Sequence, residues 1–392
     1  MSIMKTLDAK IAEIKKNPST NLFIIADAKD ADMAHGLAAP GKSPEMHSQE
    51  AKYRSLQEYR ELIKQNVEQG LVDIMLMSAS TNSILNINDR IFDNSAITPA
   101  IRANDTTDIW LAAGGNYPKE PSHPFRSATI DHAMCGKVSC EPDQRHLGAD
   151  LGLYSITFNN DRDLDQYALE EYAKFRVEAE SKGFRHFLEV FAPNAPINPI
   201  PDVGRYLNDM IARTLAGVAG NARPIFLKIP YLGPQAMEQL VQYDTSTIVG
   251  ILGGSAGTTF DAFNQLAEAK KYGARVALYG RMINASENQL AFIKHLRAVA
   301  DSELQPVEAV KSYHNELKRL GITPYRTLEE DLGSELRVSS YDSSLTPIKQ
   351  ASNPSAPSSA TAKADSAKVD YDNLSQAEKV KLNLKRWNDI LG

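Results

Sequence analysis

The sequence predicts an α/β protein: a closed (β/α)8 TIM barrel, followed by a low-complexity linker and a terminal helix. Three observations carry that prediction. Eight short apolar runs recur between helical stretches up to residue 280. The runs are nearly continuous in apolar residues rather than alternating, as expected of strands covered on both faces. Strand–helix alternation implies parallel pairing, and eight such units suit a closed barrel.

The eight predicted strands are "LFIIAD" (22–27), "VDIMLMS" (72–78), "DIWLAA" (108–113), "GLYSITF" (152–158), "HFLEVF" (186–191), "PIFLKIP" (224–230), "TIVGILGG" (247–254) and "RVALYG" (275–280). Between them, "DQYALEEYAKFRVEAESKG" and "TTFDAFNQLAEAKKYG" read as helices, the second with Phe260, Phe263, Leu266 and Ala267 toward one side and Gly273 as its stop. No GxGxxG follows the first strand, which disfavours an open dinucleotide-binding sheet. The predicted organisation is an N-terminal amphipathic helix over 1–20, the barrel over 21–335, a Ser/Ala/Pro-rich linker over 336–372 and an amphipathic helix over 373–392. In that last helix Ser375 and Glu378 form a capping box ahead of Val380, Leu384, Trp387 and Leu391. The stretch 114–150 reads as an extra strand or an active-site loop.

Composition narrows the function. A net charge of -6 without a basic stripe disfavours nucleic-acid binding. No run approaches the roughly 18 apolar residues of a membrane span. The N-terminal stretch lacks the apolar core of a signal peptide, and Cys135 and Cys140 are too few for a disulfide framework. A reduced, cytoplasmic setting is the simplest reading. The eight histidines form no HxH or HxxxH pair, and GxSxG, Walker and CxxC motifs are absent, so no metal or cofactor is expected.

One charged residue interrupts the sixth apolar run. Lys228 in "PIFLKIPY" sits near the C-terminal end of a strand, where barrels place their active sites. Desolvation there penalises an ammonium and favours the neutral amine that condenses with a carbonyl. The alternative is a lysine whose stem is buried and whose head reaches water or a carboxylate. Glu189, inside "FLEVF" on the preceding strand, is either an ion-pair partner for Lys228 or a proton carrier. Asp27 ends the first strand and either acts in the site or caps a helix; Lys29, Asp30 and His35 follow it with no clear role. After strands seven and eight come "GGSAG" and "YGRMI", in which Gly253, Gly254, Ser255, Gly280 and Arg281 fit a phosphate site.

With these residues together, the chain resembles the class I, Schiff-base aldolases of the group containing deoxyribose-phosphate, tagatose-bisphosphate and archaeal-type fructose-bisphosphate aldolases. The resemblance spans roughly 20–300. "GADLGLYSITF" looks like the family's fourth strand, "FLKIPY" its lysine strand, and "GGSAGTTFDAF…AKKYGARVALYGRMI" its paired phosphate motifs. It implies a TIM barrel, an imine at Lys228, phosphate held by Gly254, Ser255, Gly280 and Arg281, and Asp27 near substrate hydroxyls. It further implies aldol cleavage of a phosphorylated ketose, with dihydroxyacetone phosphate or a similar compound as one product, and a homo-oligomer. Two departures matter. Phe191 stands where archaeal-type fructose-bisphosphate aldolases carry an acid/base tyrosine, and "GLYSITF" lacks the second lysine of tagatose-bisphosphate aldolases. Glu189 is therefore the first candidate for proton transfer and Asp27 the second, with Tyr154 or Thr157 as possible hydroxyl donors. Other Schiff-base transfers, a phosphate-binding isomerase and an inactive scaffold barrel are the competing readings.

Overall fold

A computed structural model describes residues 4–43, 53–254 and 257–334; the linker, the terminal helix and Ser255 lie outside the described residues. Eight parallel strands close into a barrel: β1 (Ile24–Lys29), β2 (Ile74–Met77), β3 (Thr98–Arg102), β4 (Leu151–Thr157), β5 (Arg185–Phe191), β6 (Leu227–Ile229), β7 (Val249–Leu252) and β8 (Val276–Tyr279). Each strand pairs with its sequence neighbours, and β8 returns to β1.

Side-chain parity divides the barrel. Ile24, Ala26, Ile74, Leu76, Ala100, Leu151, Leu153, Phe187, Phe226 and Leu278 fill the interior. Phe187 on β5 and Phe226, the residue before β6, stack with ring centroids 4.6 Å apart. Ile25, Met75, Ile101, Ile156, Leu188, Leu227 and Ile251 belong to the larger core under the outer helices. The N-terminal helix Thr6–Lys16 puts Leu7 into the interior cluster. Lys10 ties the same helix to Asp73 at 2.8 Å.

Seven of the predicted strands match observed ones with shifts at their ends; the third does not. β3 is "TPAIR", and "DIWLAA" forms a short 3₁₀ turn at Thr107–Ile109 instead. The apolar character of that segment has a different use. Ile109 is buried with Ala34, Phe191 and Leu252, and Trp110 packs against them, so the segment covers the mouth of the barrel. The 114–150 stretch contributes Pro124–Phe125, paired antiparallel with Asp105–Thr106, and the helix Ile130–Cys135. Cys135 and Cys140 are joined in a disulfide, which corrects the expectation of reduced thiols. Helix starts and stops follow local chemistry. Ser55 with Glu58 and Thr258 with Asp261 form capping boxes, and Gly183 ends Arg162–Lys182 in the left-handed conformation. Among the described residues no helix is long and apolar enough to cross a membrane.

Candidate active site

Inward positions on β3 to β6 turn polar at the C-terminal end of the barrel. Lys228 is opposite Glu189 in the β5–β6 register, and Glu189 is opposite Ser155 in the β4–β5 register. Lys228 is 6% exposed and Glu189 fully buried. The Lys228 ammonium contacts Glu189 Oε1 directly. Glu189 Oε2 accepts the Ser155 hydroxyl at 2.7 Å and lies 3.7 Å from the Arg102 guanidinium. Arg102, the last residue of β3, donates through Nε to Asp30 at 2.6 Å and through Nη1 to Ser155 Oγ at 3.1 Å. Asn104 exchanges two hydrogen bonds with the Ser155 backbone, at 2.6 and 2.8 Å, fixing that residue's place.

This is a buried cluster of two cations and two carboxylates. Burial of any one charge alone is costly, but each has an opposite charge beside it here. Burial on its own would raise the Asp30 carboxyl, yet the Arg102 guanidinium and the Lys228 ammonium outweigh it and hold Asp30 below the usual carboxylate range.

A cavity opens above the cluster, lined by Lys228, Glu189, Asp30 and Arg102 on its floor and by His35, Phe191 and Arg281 on its walls. His35 sits in the loop after β1. Burial lowers its imidazole to about 4, with the nearby Arg281 cation acting in the same direction. Gly253, Gly254 and Gly280 complete the wall. Their uses differ. A Cβ at Gly253 would lie 2.2 Å from the Tyr279 ring, and one at Gly280 would lie 2.5 Å from the Ala28 carbonyl oxygen. Gly254 has φ +63°, the left-handed region that favours glycine. The Gly253 N–H already donates to Leu278 O at 2.7 Å, so Gly253 supplies space rather than an anion donor.

Asp27 is the sequence-predicted residue that the structure does not bring to this cavity. Interior parity on β1 belongs to Ile24 and Ala26, and Asp27 faces the outer helices. There it accepts from Asn66 Nδ2 at 2.5 Å and lies 3.5 Å from Lys29, with both side chains fully buried. Lys29 donates to Asn284 and, at 3.1 Å, to Gln289. Burial raises the Asp27 carboxyl and lowers the Lys29 ammonium, with each opposing the other's shift. Asp30, three residues on, occupies the cavity instead. Of the suggested hydroxyls, Tyr154 lies in the outer core, 4.6 Å from the Phe175 ring by centroids, and Thr157 donates to Asp108 at 2.9 Å. Arg102, unassigned by sequence, is the residue that ties Asp30, Ser155 and Glu189 together.

No protein-family model matches the sequence, and no curated protein matches it. Solved structures do. An archaeal fructose 1,6-bisphosphate aldolase aligns at TM-score 0.52 and 15% identity, over 75% of this chain and 99% of that one. The likeness is one of fold. A fructose-bisphosphate aldolase from Slackia heliotrinireducens aligns at TM-score 0.55 and 13% identity, over 78% and 89% of the two chains. An archaeal fructose-1,6-bisphosphate aldolase with its catalytic lysine bound to a carbinolamine intermediate aligns at TM-score 0.53 and 16% identity, over 74% and 99%. These neighbours share the (β/α)8 architecture seen here.

Proposed function

We propose that this protein is a class I aldolase, in which Lys228 forms an imine with the carbonyl of a phosphorylated ketose and a carbon–carbon bond is then cleaved or formed. The observation that carries the reading is the Lys228–Glu189 pair, inward-facing at the C-terminal mouth of the barrel, where catalytic groups of this fold sit. Fold neighbours that include a Schiff-base-forming fructose-1,6-bisphosphate aldolase and one with its catalytic lysine bound as a carbinolamine add support.

The contacts suggest the division of labour. Glu189 takes a proton from Lys228, and the amine attacks the carbonyl carbon to give a carbinolamine. Glu189 then returns a proton to the departing hydroxyl, water leaves, and a protonated imine remains. A base then takes the C4 hydroxyl proton, the C4 oxygen becomes the carbonyl of the departing aldehyde, and the C3–C4 electron pair moves to the imine nitrogen and leaves an enamine. Protonation of the enamine carbon and addition of water release the second product and Lys228. Ser155 and Arg102 hold Glu189 in place, and Asp30, fixed by Arg102, orients substrate hydroxyls. Gly254, Gly280 and Arg281 receive the phosphate, together with Ser255.

Borohydride trapping tests the reading. The protein is incubated with dihydroxyacetone phosphate and a panel of ketose phosphates, reduced, and mapped by mass spectrometry. A substrate-dependent adduct on Lys228, absent in Lys228→Met, is the expected result. A panel that leaves Lys228 unmodified removes the proposal.

A further inference from the structure

We infer that His35 is the residue that moves the proton during carbon–carbon cleavage, an inference that rests on the imine reading above. Arg102 and Arg281 are always charged and carry no basic lone pair. Lys228 is the nucleophile. Glu189 is held by Lys228, Ser155 and Arg102 at the floor of the cavity, which suits proton traffic at the imine nitrogen. Asp30 is bound by Arg102 and held below the usual carboxylate range, which makes it a weak base. Phe191 offers no proton at all.

His35 differs from all of these. It is half-buried, and its ring makes no hydrogen bond or ion pair among the described residues. It also lines two adjoining cavities. One is the cavity over Lys228; the other, of about 500 Å³, lies beyond Arg281 and is walled by Lys42, Arg54 and Tyr53. A ketose with its carbonyl at Lys228 and its remote end in the second cavity would pass the imidazole between them. The atoms beyond the carbonyl, where cleavage occurs, are the ones it would meet.

The step balances. A neutral imidazole nitrogen accepts the proton of the C4 hydroxyl, whose electrons form the aldehyde carbonyl. The C3–C4 pair moves to the imine nitrogen, and the aldehyde leaves. The imidazolium then gives the same proton to C3 of the enamine, regenerating the protonated imine for hydrolysis. The neutral form needed at the start is favoured by burial and by Arg281 and Arg102, and opposed by Asp30. Lys228 and Glu189 are the other charged groups on the cavity wall.

Proton exchange tests this without knowledge of the aldehyde. Dihydroxyacetone phosphate is incubated with full-length protein in deuterated buffer, and loss of the C3 proton signal is followed by NMR. Borohydride trapping on Lys228 is measured in parallel. His35→Gln is expected to keep the Lys228 adduct while exchange falls at least about a hundredfold, the usual size of a general acid–base contribution. His35→Ala is expected to regain exchange with added imidazole, which a merely structural role would not allow. A smaller loss in His35→Gln, loss of its Lys228 adduct, or no imidazole rescue of His35→Ala overturns the assignment of His35 alone. A wild-type protein without any Lys228 adduct overturns the imine reading and this inference with it.

Discussion

Replacing Asp27 by alanine separates stability from chemistry. The carboxylate is fully buried on the outer face of β1, 3.5 Å from the equally buried Lys29. Its removal leaves Lys29 with no carboxylate, only the amide oxygens of Asn284 and Gln289 and the face of the Tyr59 ring. Breaking a buried pair from one side costs about 3–5 kcal/mol, and the two amide acceptors place this case toward the lower end. At roughly 2 cal/mol/K per residue, a unit of this size has an unfolding entropy of about 0.7 kcal/mol/K, so the melting temperature should fall by roughly 4–7 °C. Removing Lys29 as well, in Asp27→Ala/Lys29→Met, should recover part of that loss because no lone charge remains. Well below the transition, all these variants should still give the Lys228 adduct on borohydride reduction. The assays are thermal unfolding by circular dichroism and mass spectrometry of the trapped protein. An Asp27→Ala protein that melts with the wild type but no longer traps would refute the outward placement of this residue.

Two further predictions concern features away from the cavity. His186 is buried against Tyr172, whose hydroxyl lies 2.8 Å from Nε2, and burial lowers its imidazole from 6.5 to about 3. A folded value below the unfolded one means that stability is present above about pH 6.5 and is lost as the pH falls toward 3. Between about pH 7 and pH 5 the loss amounts to about 2 kcal/mol, and urea titrations of His186→Gln should show that much less pH dependence than the wild type. Identical pH dependence in the two proteins would contradict it. The Cys135–Cys140 bond closes a very short loop, so chain-entropy reasoning gives it only about 2 kcal/mol. Alkylation before reduction should leave both cysteines unlabelled, and reduction should lower the urea midpoint slightly without unfolding the protein; two labelled thiols would remove the bridge.

The buried Lys228–Glu189 pair is legible in the sequence because each residue is a charge inside an otherwise apolar strand. Such contrast survives without any knowledge of pairing or parity. Asp27 shows where the signal ends. Strands covered on both faces are apolar at odd and even positions alike, so the pattern of β1 does not say which residues point inward. A shift of one position exchanges the faces, and Asp27 and Asp30 lie on opposite ones. Lys29, two residues beyond Asp27 and therefore on its face, is the local clue to an outward ion pair. Arg102 was hidden for a different reason. β3 is "TPAIR", with Pro99 and only Ala100 and Ile101 as further apolar side chains, so it stands out less than the neighbouring, more apolar "DIWLAA". Hydrophobicity ranked the cover of the barrel above its third strand. No spacing rule for two cysteines five apart distinguishes free thiols from a bridge, because that depends on how the intervening turn brings the Cα atoms together.

The position of the polar cluster has a cause in the barrel itself. Below it, Leu153, Phe187, Phe226 and Leu278 fill the interior, so inward-facing charges can be accommodated only where the strands end. There Ser155, Glu189 and Lys228 come from three adjacent strands at one level, and their spacing is set by the register rather than by flexible loops. Asp30, His35 and Arg281, which line the cavity above, come instead from the segments that follow β1 and β8. On the proposed mechanism, amine and acid chemistry would thus rest on rigid elements, and substrate contacts on segments that tolerate change. A Phe191→Tyr substitution would add a hydroxyl to the rigid half without moving the loops. If proton transfer has passed to His35, that hydroxyl should partly restore exchange in His35→Gln and change little in the wild-type background.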